Sequence, residues 1–193
     1  MSEEKYLTMD EYCRLFAHIT LAEYDNLFLN AELRRDLGLD NDQTRRFAVE
    51  YLCAALYLLD DLLPDSRLPD EVCRAVSAQV RGQVFRSILP KTAPEGAEAP
   101  YILYSLKRAA AFAPFYARGD ETMRQLIDNC LDQAKLTDPV ARMPQSFYLM
   151  NLLPGVVQLY CDLVCGVALD TAEPLRFRIV LPQAEQNGAP ADA

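Results

Sequence analysis

The sequence predicts an all-α fold, a single-domain bundle of about six to seven helices with one short C-terminal β-strand. Over most of the chain, apolar residues recur at spacings of three and four, which is the period of an α-helix. Helix-capping patterns stand before several of these stretches. Only after Pro174 does the apolar spacing change to every second residue, as in a strand.

The chain has 193 residues, of which 51% are hydrophobic and 24% charged, and this is enough for one hydrophobic core. We therefore expect one domain over residues 1–181, consisting of the helices and the strand. Residues 182–193 contain only Gln, Asn, Gly, Ala and Pro with two acids, so we expect a disordered tail there.

Charge is unevenly distributed along the chain. Residues 1–65 carry 14 acids and 6 bases (net −8), residues 66–113 carry 4 and 7 (net +3), and residues 114–193 carry 10 and 6 (net −4). The total of −9 argues against a nucleic-acid backbone or an anionic membrane as the main partner. Because Met1–Lys5 is charged and no apolar stretch follows it, we expect no secretory signal and a cytoplasmic protein.

The first helices begin at capping patterns. Thr8 and Glu11 form a capping box, and Thr20 with Glu23 repeats it, so the second pattern marks either a new helix or a continuation. Gly38 is expected to end this region. Asp40 is expected to cap the next helix, over residues 43–63. The second half of this helix is apolar on almost every side, which predicts a central buried helix.

The next helix is expected from Pro69 to Leu89. Its inner stripe consists of valines four residues apart, and Arg67, Arg74 and Arg81 recur at intervals of seven on the other side. This spacing predicts an exposed cationic ridge. Residues 91–100 are predicted to be a linker, since they contain prolines and a glycine without periodicity.

Three more helical segments and the strand complete the chain. Helices are expected over residues 101–113 and 120–135. Residues 147–169 hold one charge, Asp162, and are long enough to span a membrane, but Asn151 and Pro154 also interrupt their centre, so we expect two buried helices joined near Pro154. The strand is expected over Leu175–Leu181.

No cofactor or metal site is expected. His18 is the single histidine, and the six cysteines lack the paired spacing of a zinc site or a redox motif. Cys161 and Cys165 are one helical turn apart and could supply two zinc ligands, whereas a structural site needs four. The cysteines are therefore expected to be reduced and mostly in the core.

Three carboxylates, those of Asp60, Asp61 and Asp65, lie at the C-terminal end of the predicted central helix, next to Pro64. The C-terminal end of a helix is the negative end of its dipole, so each acid there is unfavourable by about 0.3 to 1 kcal/mol unless compensated. We expect a solvent-facing helix end whose charge is offset by Arg67. Pro64 is expected to interrupt the helix and keep Asp61 and Asp65 from facing together.

The segment Ala55–Asp65 resembles the first aspartate-rich motif of squalene and phytoene synthases. Two other fragments are similar to that family, Ser146–Leu149 with the nearby Leu152–Pro154, and Tyr160–Cys161 with the residues that follow. The resemblance implies a helical, magnesium-dependent enzyme acting on a prenyl diphosphate. In that family the Ser-Phe-Tyr fragment precedes the aspartate motif, whereas here it follows. A second aspartate-rich helix is also expected after the Tyr160–Cys161 segment, and none is evident in this sequence.

The predicted function is that of a non-catalytic protein-binding module, such as an adaptor, inhibitor or immunity-type protein. It would act through the acidic first third and through the C-terminal strand, with Leu175, Phe177 and Ile179 as partner-binding residues. A single strand leaves backbone groups unpaired, so it must pair with another copy, another chain or a further strand of this chain. A magnesium-dependent enzyme acting on a prenyl diphosphate is the alternative.

Overall fold

A computed structural model describes residues 5–66, 68–114, 116–165 and 177–180. Helices make up most of this part of the chain, which confirms the all-α class. The seven α-helices are α1 (Met9–Leu29), α2 (Ala31–Asp36), α3 (Asn41–Leu62), α4 (Asp70–Ser87), α5 (Ala99–Phe112), α6 (Asp120–Gln133) and α7 (Met143–Cys165).

The capping box at Thr8 starts α1 as predicted. The Thr8 hydroxyl accepts a hydrogen bond from the backbone N–H of Glu11, and the Glu11 carboxylate accepts one from the N–H of Thr8. α1 continues through Thr20, whose buried hydroxyl donates to the carbonyl of Phe16. Its end is at Asn30, which also caps the short helix α2.

α3 is the central helix of the bundle. Asp40 and Gln43 form its capping box, and every residue from Tyr51 to Leu59 is buried. α3 as a whole contacts α1, α4, α5, α6 and α7. An apolar surface all round the helix is therefore covered on all sides, as the sequence predicts.

The prediction of an exposed cationic ridge on α4 is wrong. Val76, Val80 and Val84 form the expected inner stripe, but Arg81 is only 3% exposed and Arg74 is exposed. The difference arises because α5 lies over the Arg81 turn of α4, where the Ser105 hydroxyl accepts a hydrogen bond from Arg81 Nε at 3.1 Å. Arg67 lies outside the described residues.

The two helices predicted around Pro154 are instead one, α7, with Pro154 inside it. Pro154 lacks the N–H that would bond the Met150 carbonyl, but Pro154 is exposed and Met150 is only half-buried, so water can reach that carbonyl. Among the described residues, α7 is the one helix whose length and composition would allow it to cross a membrane, and 28% of its most apolar 18-residue window is buried within the protein.

Two short extended segments, β1 (Lys5–Thr8) and β2 (Phe177–Val180), pair in parallel. β1 was not predicted, since four residues before a capping box carry no clear period. Leu175 and Leu181 lie outside the described residues, so the strand over the whole of Leu175–Leu181 stays a prediction. The tail over residues 182–193 also lies outside them.

Candidate functional site

The first carboxylate of the aspartate cluster, Asp60, faces α4 and α5. Both carboxylate oxygens accept hydrogen bonds from the Arg81 guanidinium, and Asp60 Oδ1 also accepts one from the Ser77 hydroxyl at 2.5 Å. Arg81 in turn donates to the hydroxyls of Ser77 and Ser105, at 2.7 and 3.1 Å. Asp60 is thus part of a polar network that joins three helices.

Asp61 and Asp65 face the other way, toward the loop before α6. Arg118 Nε donates to Asp61 Oδ2 at 2.5 Å, and the same guanidinium donates to Asp65 Oδ2 and to the Asp61 carbonyl. The prediction that Pro64 keeps the two carboxylates apart is wrong. A 3-10 turn over Leu63–Asp65 continues the direction of α3 and leaves both acids beside one arginine.

These contacts explain why acids are tolerated at the negative end of α3. Arg81 and Arg118, distant in sequence, supply the compensating charge. The carboxylates of Asp60 and Asp61 point to different neighbours and each is engaged by an arginine, whereas a magnesium site needs carboxylates that converge on one cation. Within the residues that the structure describes, no group of three His, Cys, Asp or Glu side chains is placed to hold a metal ion.

A cavity lies on each side of the cluster. The larger, of about 820 Å³, lies between the end of α3, α4 and α5, with Asp60 and Arg81 on its polar wall and Ile102 and Leu106 on its apolar one. The smaller, of about 380 Å³, lies between α3, the Arg118 loop and α7. Ile102 and Leu106 thus place α5 in the wall of the larger cavity.

A second polar network attaches the inner side of α5 to α3 and α6. Glu50, 3% exposed in its side chain, accepts a hydrogen bond from Arg108 Nε at 2.8 Å and one from the Tyr104 hydroxyl. Arg108 also donates to the Asn129 side chain at 2.6 Å. Burial raises the pKa of Glu50, although Tyr104 and Arg108 act against this shift. The network makes α5 a firmly held element.

The outer side of α5 is apolar and uncovered in the described structure. We define the outer stripe as Ala99, Leu103, Leu106 and Ala110, all exposed, with Leu103 at 55% and Leu106 at 48%. The spacing of four, three and four residues places them along one line on the helix surface. Lys107 is the one exposed charged residue of α5.

The predicted partner-binding residues are placed only in part. Leu175 lies outside the described residues, while Phe177 and Ile179 lie in β2 opposite Lys5 and Leu7. β2 contacts mainly β1 and α1, and neither of these elements carries the outer stripe.

The acidic first third is partly neutralised in the fold. Four of its 14 acids form ion pairs with arginines from later in the chain. These acids are Glu50, Asp60, Asp61 and Asp65. The surplus of negative charge left for a partner is therefore smaller than the sequence count of −8 suggests.

Four cysteines are buried, Cys161 is half-buried and Cys165 is exposed, and all six are free. Burial raises the pKa of the Cys13 thiol to about 12, so this thiol stays protonated near neutral pH.

Comparison with known proteins adds no assignment. No family model matches the chain, and no curated protein or solved structure is significantly similar to it. The resemblance to squalene and phytoene synthases therefore rests on the short fragments alone.

The outer stripe was missed by the sequence reasoning although its pattern is visible in the sequence. α5 carries two apolar lines, one through Ile102, Ala109 and Phe112 and one through the outer stripe. A helix that packs on the core with one side can bury only one such line, so the second line stays exposed unless something else covers it.

Proposed function

We propose that this protein is a non-catalytic protein-binding module of the adaptor, inhibitor or immunity type, and that the outer stripe of α5 is its principal binding surface. The observation that carries the proposal is the pair of half-exposed leucines, Leu103 and Leu106, on one line of a helix. Contiguous exposed apolar surface on a folded domain is typical of interaction sites, and the core of an interface is depleted in charge.

The attachment of α5 supports this use of its outer side. The ion pair between Glu50 and Arg108 and the packing of Phe112 hold the inner side in the core. A surface presented by a rigid element loses little conformational entropy when a partner binds. The outer stripe is thus an ordered, preformed contact surface.

The C-terminal strand is a second contact in the same proposal. We propose that Leu175, Phe177 and Ile179 add to the edge of a partner's sheet, a common mode of protein recognition. In the described part of the chain the sheet has two strands, so β1 and β2 each have one edge without a neighbour. The net charge of −9 supports a protein partner over nucleic acid or an anionic membrane. We further propose that the protein is cytoplasmic.

The experiment is site-specific photo-crosslinking in the cells that naturally make this chain. A benzophenone amino acid replaces Leu103 in one variant and Gln125, an exposed residue of α6, in a matched control. We expect a discrete protein adduct from position 103 and none from position 125. No adduct from position 103, or equal adducts from both positions, would show that the outer stripe is not a binding surface.

A further inference from the structure

We infer that the protein bound at the outer stripe is a second copy of this chain, with the two α5 helices packed antiparallel about a two-fold axis. This inference rests on the proposed function and names its partner. The inference is based on the spacing of the stripe, which reads the same in both directions, so two antiparallel copies present matching residues to each other.

The spacing of four, three and four is that of the alternating core positions of a two-stranded coiled coil. In an antiparallel pair these positions meet in alternate layers. Leu103 of each copy then lies level with Leu106 of the other, and Ala99 lies level with Ala110. Every residue of the stripe meets one of equal size, and each contact occurs twice, as a two-fold interface requires.

The charge of this face permits contact between two copies. Each chain has a net charge of −9, so two copies repel wherever their acidic surfaces meet. The outer side of α5 carries Lys107 and no acid. Lys107 lies at the margin of the stripe, where its charged end can stay in water.

The area suits a dimer that forms reversibly. Leu103 and Leu106 are 55% and 48% exposed and the other two residues of the stripe are alanines, so the stripe is smaller than the roughly 800 Å² per partner of a standard interface. The interface is predicted to be a concentration-dependent one rather than an obligate one.

Cysteine crosslinking tests both the partner and the direction. The full chain carries Cys165→Ser to remove the exposed thiol, together with either Ala99→Cys or Ala110→Cys. Positions 99 and 110 are 11 residues apart, or about 16 Å along a helix, whereas a disulfide needs Cα atoms within about 7 Å. In the antiparallel pair a disulfide can therefore form only between the two different variants.

We expect a covalent dimer when the two variants are mixed and oxidised, and none from either variant alone. Dimer from either variant alone, in the amount that the mixture gives, would overturn the antiparallel arrangement. No dimer in any of the three samples would overturn self-association. A photo-adduct at position 103 with a mass other than two chains would then leave the proposed function standing, whereas no photo-adduct would remove both.

Discussion

The second half of α3 and the outer stripe of α5 have similar apolar sequences and opposite environments. Every residue from Tyr51 to Leu59 is buried, whereas Leu103 and Leu106 are about half exposed. α3 lies at the centre of the bundle and is contacted by five helices, while α5 is covered on its inner side alone in the described structure.

This difference in burial indicates that the apolar residues of the two helices have different roles. In α3 they contribute to the free energy of folding, because their burial is complete. In the outer stripe they are only about half buried and contribute less to folding, and under the proposed function they bind a partner. Substitutions in α3, in its attachment to α5 and in the outer stripe should therefore differ in their cost to folding.

The largest effect is expected where α5 is attached to α3. Arg108→Met leaves the buried carboxylate of Glu50 without its ion-pair partner, and such a loss costs about 3 to 5 kcal/mol of unfolding free energy. Urea unfolding followed by circular dichroism measures this value. A cost near that of an exposed pair, about 0 to 1 kcal/mol, would show that the network does not hold α5 in place.

The same variant has a predictable pH dependence. Burial raises the pKa of Glu50 above its unfolded value, and loss of Arg108 removes a group that opposes that shift. A group whose folded pKa is raised contributes stability at low pH, and this contribution is lost as the pH rises through the folded pKa. The stability gap between wild type and Arg108→Met is therefore expected to be smaller at pH 5 than at pH 8, and a gap independent of pH would contradict this explanation.

A smaller but more direct contrast comes from one substitution made in both regions. Leu59→Ala should lower the unfolding free energy by about 2 to 5 kcal/mol, because Leu59 is fully buried and the change leaves a cavity. Leu103→Ala should lower it by about 1 kcal/mol or less at a concentration where the protein is monomeric, because a little under half of Leu103 is buried. Equal losses at the two positions would mean that the outer stripe is part of the core.

Much of the fold follows from local sequence signals. The capping boxes at Thr8 and Asp40 mark the starts of α1 and α3, and the all-round apolar pattern identifies α3 as the central helix. The errors come from tertiary context. Pro154 is compatible with a continuous α7 because it is exposed, and Arg81 is buried because α5 covers its turn of α4.

The candidate site could be predicted only in part for the same reason. The sequence identifies Asp60, Asp61 and Asp65 as a cluster that needs compensation, but the compensating Arg81 and Arg118 are 21 and 57 residues away from their partners. Spacing along a chain carries no information about such distant pairs. Whether the second apolar line of α5 is covered is likewise a property of the assembled bundle.

The mass of the protein in solution tests the central claim most directly. Sedimentation equilibrium over a range of concentrations should show wild type passing from one chain to two, and Leu106→Asp remaining a single chain because it places a charge in the middle of the stripe. Gln125→Asp, which adds the same charge on the exposed side of α6, should associate as wild type does. Association of Leu106→Asp equal to that of wild type, or a wild type that stays a single chain at the highest concentration, would contradict the account.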